Sequence, residues 1–590
     1  MTVASGLWPG QDVGRETDVL DGDSSDARYH GAMMEPHEVP AEPPPPEPRE
    51  LPPDDTRRAA GRRIARASAL IGVLFLAAKV VGLLRERAIS HAFGLSAEYE
   101  AYVAAFRVPD LLFTLFAGGA LVSAFLPVFS QALTDEDRDG AWRLASGVTN
   151  LVAVATALAA AGAFALAVPL TRWITPDVPL AQQLLTAHLM RIILASTLVF
   201  AVSGLQFGIL NAFQHFLTPA LATVAYNLGI IAGAVWLAPH FAVPIEGLAW
   251  GVVVGALGHL LIKVPALVQR GFRWHATFGL HDPRVRRVLS LLWPRMLSLG
   301  AVQAVFIANT RLASGAGVGA LASLNYAWVI SQMPQSILGT AVGTAAFPTL
   351  AELAARGRRA ELRRTAADAL AAMTILAVPA AVGLATLAGP AVQVLLQTGR
   401  FDADAAALTA AALRMFALGL VGHVTLEVAA RLFYAQQDTR TPLYIAVGTM
   451  VANIALAALF TALATARGWG LAATVGGIAL ANSIAVSGEV AVALWLVRRR
   501  LDGIEGRRLG SILGRTMAAG AGMAAVILTV ARALPAGLAL GPLDGPLGDG
   551  LLRLAIAGTA GGAVYVGLAL AIGVVPRSAV AGVLRRVFRR

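Results

Sequence analysis

The chain of 590 residues contains no cysteine. That excludes a disulfide framework, a thiolate nucleophile and any zinc or iron–sulfur site built on cysteine. Lysine is almost as scarce. Of 47 basic residues only Lys79 and Lys263 are lysines, and neither stands in the Gly-Lys-Ser/Thr context that a phosphate-cradling loop requires. Direct ATP hydrolysis is therefore not expected, and the sequence predicts no enzyme, no cofactor and no metal site. Charge of any sign is thin, at 14% of residues, against about 25% in an ordinary soluble domain. Hydrophobic residues reach 56%, with a mean hydropathy of +0.66. The chain reads as an all-α polytopic membrane protein.

Apolar runs long enough to cross a bilayer, about 20 residues each, begin near Ser68, Glu98, Ala141, Ala181, Thr218, Gly247, Arg287, Gly319, Glu361, Asp404, Thr441, Gly470, Leu509 and Leu551. That makes about 14 transmembrane helices. Before them, residues 1–67 are polar and proline-rich, as at Pro43 to Pro46, and lack the apolar surface that would offset their ordering entropy. They are predicted to be a disordered cytoplasmic tail with no signal peptide. The net charge of +11 follows topology, not nucleic acid. Arginines cluster before the first span (Arg57 to Arg66), between the sixth and seventh (Arg270 to Arg287), and again at Arg356 to Arg364, Arg498 to Arg508 and Arg585 to Arg590. Loops on the other side hold single arginines such as Arg172, Arg400 and Arg467. Since basic loops stay in the cytoplasm, both termini are expected there.

The middle of the chain repeats. Pro127 and Pro348 (348 − 127 = 221), Pro169 and Pro390 (221), Pro219 and Pro442 (223) and the Gly-Leu-Ala triplets at Gly247 and Gly470 (223) share one offset. Each copy holds six apolar segments, and an even count returns the chain to its starting side, so the copies sit in parallel orientation. The expected plan is two parallel six-helix lobes around a central cavity plus two C-terminal helices. By residues it is an N-lobe over 68–270, a C-lobe over 271–500, appended helices over 501–575 and a basic cytoplasmic tail over 576–590.

Ionisable groups inside spans cost at least about 2.5 kcal/mol each and invite a functional reading. Lys79 and Arg85 lie on the first span, about 120° apart on a helix, placed to line two walls of one cavity. The alternative for Arg85 is snorkelling to the headgroups. Glu100 and Arg107 lie on the second, with Asp110 three residues after Arg107, the spacing of a structural pair. Glu100 is expected to balance the first-span cations. Arg295 and Arg311 lie on the seventh span, where Arg295 also reads as the close of the cytoplasmic cluster. Glu427 and Arg431 have the spacing of an intrahelical pair. The first half is thus expected to be mainly cationic, which suits an anion carried on a lipid, because guanidinium binds phosphate through paired charge-assisted hydrogen bonds.

The stretch from Lys79 to Gln131, the stretch SQMPQSILGTAVGTAAFPTLAE from Ser331, and RLFYAQQDTRTPLYIA from Arg431 resemble the MurJ (MviN) family, the lipid II flippases of the MOP exporter superfamily. The likeness covers about residues 68–575, and FYAQQDTRTP is its most specific piece. The resemblance implies transport of an undecaprenyl-diphosphate-linked peptidoglycan precursor from the cytoplasmic to the outer leaflet of a bacterial inner membrane by alternating access. It also implies a groove for the lipid tail beside the last two spans, with partners limited to the precursor, membrane lipid and the cell-wall synthesis machinery. Position by position, the family's first-helix arginine pair falls on Lys79 and Arg85, its second-helix acid on Glu100 and its basic residue before Val-Pro on Arg107. Phe113, Thr114, Gly118 and Val329 stand where many members carry charge, and Arg295 or Arg311 is expected to supply the cation missing at Val329. The alternatives are a flippase for another polyprenyl-diphosphate-linked glycan, a multidrug antiporter of the same superfamily, and a scaffold without transport.

Overall fold

The computed structural model describes residues 77–135, 137–534 and 545–574. The expected tails at 1–67 and 576–590, and the start of the first span at Ser68, lie outside the described residues. Among those described, the chain is helical and has no strand, as a bilayer demands of an open chain that must satisfy its own backbone. Helices begin where the sequence supplies an acceptor. Ser96 Oγ accepts the Tyr99 N–H at 3.3 Å, Asp137 Oδ1 the Gly140 N–H at 2.8 Å and Asp402 Oδ1 the Ala405 N–H at 2.8 Å, caps worth about 1 kcal/mol each.

The first helix, α1, is described over 77–93. It is followed by α2 (Ala97–Ala105), α3 (Arg107–Phe116), α4 (Gly119–Thr134), α5 (Arg138–Ala165), α6 (Ala167–Ile174), α7 (Leu180–Ala212), α8 (Leu217–Ala232), α9 (Pro244–Leu261) and the short α10 (Val264–Val268). The second half contains α11 (Pro283–Ser314), α12 (Ala320–Ala355), α13 (Arg359–Thr386), α14 (Ala388–Leu396), α15 (Ala403–Ala435), α16 (Arg440–Ala466) and α17 (Leu471–Arg500). The chain closes with α18 (Gly506–Ala533) and α19 (Pro546–Ala571). Twelve helices among the described residues are long and apolar enough to cross a membrane, with α2 to α4 forming one of them. Two of the expected fourteen are not among them: α1, whose start lies outside the described residues, and α12, whose 36 residues include the polar Asn325, Gln332 and Gln335.

The offset seen in the sequence is also the offset of the fold. Helix α13 starts 221 residues after α5 (359 − 138) and ends 221 after it (386 − 165), while α15 starts and ends 223 after α7 (403 − 180, 435 − 212). The turns repeat as well. Gln214 and Gln437, 223 apart (437 − 214), both adopt left-handed backbone, with φ of 55° and 59°. In the first half α2, α5 and α9 pack on α7; in the second, α12, α13 and α17 pack on α15. Helix α11 touches α3 and α4 as well as α16, and so joins the halves. Helices α18 and α19 pair with each other and lie on α13 and α14.

Lipid offers helices no hydrophobic reason to associate, so they need small residues at crossings. A Cβ on Gly233 of the α8 segment would stand 2.7 Å from the Cα of Gly251 on α9, and the pair Gly229 and Gly255 is equally close. Large apolar side chains point outward instead, as Leu158, Trp236 and Tyr444 do.

Candidate functional site

Where α1 finishes and α2 begins, the two halves are latched together. The Arg87 guanidinium donates to the Val394 carbonyl at 2.6 Å, Ser90 Oγ to the Leu396 carbonyl at 3.0 Å and the Arg400 N–H to the His91 carbonyl at 3.0 Å. Gly94 (φ 58°) and Gly399 (φ 55°) allow this approach, since a Cβ on either would overlap the opposite backbone. Beside them Glu100 Oε1 accepts the backbone N–H groups of Gly319, Leu321 and Ala322 at 3.0, 2.8 and 3.3 Å. Glu100 is therefore the buried cap of α12, at the helix end where a negative charge is stabilised. This corrects its expected role: it lines neither cavity described below and does not balance the first-span cations.

Behind the latch lies a cavity of about 190 Å³ whose walls include Arg85, Glu86, Tyr99, Tyr102, Arg107, Asp110, Tyr226, Asn325 and Val329. Arg85 Nη1 donates to Asn227 Oδ1 at 3.0 Å, and Asn227 is held in that pose by its own bond to the Thr223 carbonyl at 2.9 Å. The Arg85 Nε reaches Glu86 Oε1 at 3.1 Å in a salt bridge. Arg107 Nε donates to Thr310 Oγ1 at 2.7 Å, and its guanidinium stands 5.5 Å from the Phe306 ring centre. Two arginines thus face one compartment, yet Glu86 and Asp110 share its wall. The lining holds two acids beside its two arginines, with Arg85 in a salt bridge to Glu86, where the sequence reading expected it to be mainly cationic. Tyr99, Tyr102 and Tyr226 stand on the same wall.

A second cavity of about 480 Å³ opens in the other half, between α11, α12, α15, α16 and α17. Arg107 and Asn325 line both cavities. Its polar wall includes the amides Asn309, Gln332, Gln335, Asn453 and Asn482, the acids Glu427 and Glu489, and His423. His423 Nε2 lies 3.0 Å from Asn482 Oδ1, and Glu427 holds Arg431 at 2.9 Å, as their spacing predicts. Sequence reasoning weighed ionisable groups and missed the amides. The signal was there: Asn325, Trp328, Gln332 and Gln335 recur on one helical face, as do Asn482 and Glu489 seven residues apart.

The structure brings Arg85 and Arg107 together and leaves other candidates elsewhere. Lys79 lines neither cavity. Arg295 is exposed, and Arg311, also exposed, donates to the Trp173 carbonyl and stacks on that ring. Neither supplies the cation expected opposite Val329. In the turn between α15 and α16, within the FYAQQDTRTP phrase, burial would push the Asp438 carboxyl up. The Thr441 hydroxyl at 2.6 Å, the Thr441 N–H at 3.0 Å and Arg500 at 2.6 Å outweigh that and hold it at about 2.

A family model described as lipid II flippase MurJ matches residues 89–541. A lipid II flippase MurJ of Burkholderia cenocepacia is 33% identical over 395 residues, covering 65% of this chain and 76% of that one. A probable lipid II flippase MurJ of Bdellovibrio bacteriovorus is 30% identical over 466 residues, covering 78% and 87%. Among solved structures, a lipid II flippase MurJ in an inward closed conformation aligns with a TM-score of 0.68 at 20% identity over 88% of this chain and all of that one. An inward-facing MATE family transporter of the MOP superfamily aligns at 0.60 and 17% identity, over 73% of this chain and 98% of that one. These two likenesses concern the fold alone.

Proposed function

Because this chain belongs to the lipid II flippase MurJ family, we propose that it carries a polyprenyl-diphosphate-linked peptidoglycan precursor across the bacterial inner membrane by alternating access. The observation that carries the reading is Arg85 and Arg107 facing one compartment between the halves, each beside a carboxylate. A guanidinium buried in lipid surroundings needs an anion at all times. Glu86 and Asp110 serve in the empty carrier, and the diphosphate serves when it arrives, so the charge is never left bare during the cycle.

Both termini are cytoplasmic in this reading, following the arginine clusters. The latch of Glu100 on α12 then lies at the outer face, and release to the outer leaflet requires it to open. A substrate that binds more tightly to the open arrangement shifts the equilibrium by its differential affinity alone. The lobe divisions at 270 and 500 belong to the same reading: helices α18 and α19 move with the second half, on which they pack.

The test is complementation in a bacterium depleted of its own lipid II flippase. The parent chain should restore growth. Arg85→Ala should insert normally and fail to restore it, with Arg85→Lys intermediate, because a lysine keeps the charge but lacks the planar fork. Full growth with Arg85→Ala would remove Arg85 from the path, and a well-inserted parent that never rescues would redirect the assignment to another lipid-linked glycan.

A further inference from the structure

We propose that the larger cavity is a second subsite for the same headgroup, one that receives a primary ammonium on Glu489. The inference rests on the precursor reading above and asks where the rest of the headgroup goes. The compartment at Arg85 holds about 190 Å³, enough for a diphosphate and too little for a glycan with a peptide attached, whereas the adjoining cavity of about 480 Å³ meets it at Arg107 and Asn325.

The charges of this cavity decide what it can accept. Glu427 is held by Arg431 at 2.9 Å, and Arg107 is engaged with Thr310 at 2.7 Å. Glu489 forms no salt bridge among the described residues, although it lines a cavity within the membrane-spanning region. An ionised carboxylate there is costly until a cation meets it. Glu489 offers acceptors only, so a ligand that meets it must bring donors, and an ammonium brings three. Trp328, on the same wall, adds an aromatic face of the kind cations favour. A divalent metal fits less well, since no group of three His, Asp or Glu side chains able to hold one occurs among the described residues.

The test uses the full chain in lipid nanodiscs and two probes, lipid II with its peptide amine free and lipid II with that amine acetylated. Acetylation should weaken binding to the parent about tenfold, and Glu489→Gln should weaken binding of the free-amine probe by the same factor. The two losses should not add, because they remove one interaction from its two ends. Equal binding of both probes to the parent overturns the proposal without needing any variant, and leaves the precursor reading intact. Failure of the parent to bind either probe overturns the precursor reading itself. The titrations are repeated with sodium replaced by choline. If Glu489→Gln alters only the sodium dependence while acetylation is silent, Glu489 is an ion site and the ammonium proposal fails. Thermal unfolding of Glu489→Gln alongside the parent checks its fold, with Glu489→Asp as the substitute if it fails to fold.

Discussion

The span Ala97–Thr134 and its counterpart Ala320–Ala355 occupy the same place in the two halves, yet the first has 38 residues and the second 36. A bilayer fixes the distance to be crossed, so two extra residues must be coiled out. They leave the helix at Ala117 and Gly118, whose N–H groups both turn back to the Phe113 carbonyl at 2.8 and 2.7 Å, and Pro109 adds a bend by removing a backbone donor. The second span runs unbroken through Pro334 and Pro348. At the crossing with the central helix the two halves then exchange roles. In the first, Gly204 of α7 leaves room for the backbone of Ala117; at the repeat-related position (427 − 204 = 223) α15 carries Glu427, and Gly339 of α12 yields the room instead, its Cβ position 2.9 Å from Glu427 Cγ. The broken span and its paired charges make a small ionic compartment, while the continuous span presents one face of amides to a larger one. A repeat thus supplies two halves of one architecture, and a two-residue insertion is enough to give them different chemistry.

The crossing itself is the sharpest place to break this contrast. Gly204→Val would drive a branched side chain into the Ala117 backbone and should cost about 3 kcal/mol, read as a loss of folded yield and a lower Tm in detergent, whereas Ala at the open position Gly448 should be silent.

Next in size is the latch. Glu100→Ala removes a charged acceptor from three N–H groups, and with charge-assisted bonds worth about 1.5 to 3 kcal/mol the latched state should lose at least ~2 kcal/mol, a shift of roughly 30-fold in the balance of states. The natural absence of cysteine makes this measurable. A Leu95→Cys reporter beside Gly319 should react faster with an impermeant maleimide in the Glu100→Ala background, and an unchanged rate would deny Glu100 any part in holding the halves.

Asp438 gives a smaller effect with a defined sign. Its folded carboxyl at about 2 lies below the ordinary 3.8, so its contribution is complete above pH 3.8 and is lost as pH falls toward 2. Asp438→Asn should cost about 1 kcal/mol as a weakened cap and should flatten that acid-side loss in thermal melts. Smallest are the two left-handed glutamines. Gln214→Gly and Gln437→Gly should each stabilise by ~0.5 kcal/mol, and, because the turns are repeat-related, by the same amount; unequal shifts would show that the halves differ here too.

Much of the architecture was legible before any coordinates. From the second span on, helix starts lie within five residues of the positions read from apolar runs, as Pro546 does from Leu551, because a span announces itself over some 20 consecutive residues. Of the site, Arg85 and Arg107 were legible because charge inside a span is conspicuous. The role of Glu100 was not, since its partners are backbone N–H groups 219 to 222 residues away, and backbone donors carry no residue-type signature. Glu86 was not singled out, although its salt bridge is what neutralises Arg85. Asn453 and Asn482 escaped notice because a single amide in an apolar run costs too little to stand out.

What the sequence determined by itself was the periodic and the local: fourteen helical segments, the two-fold repeat, the caps and the family likeness. Each is written in neighbouring residues or in an offset that recurs along the chain. Only the tertiary structure decided that Arg85 is already paired, with Glu86, that Glu100 latches one half to the other, and that the larger cavity gathers amides and two acids. Those outcomes depend on which faces of distant helices meet, and that is set by the glycine notches and the two-residue bulge acting through close packing rather than by any one segment's composition.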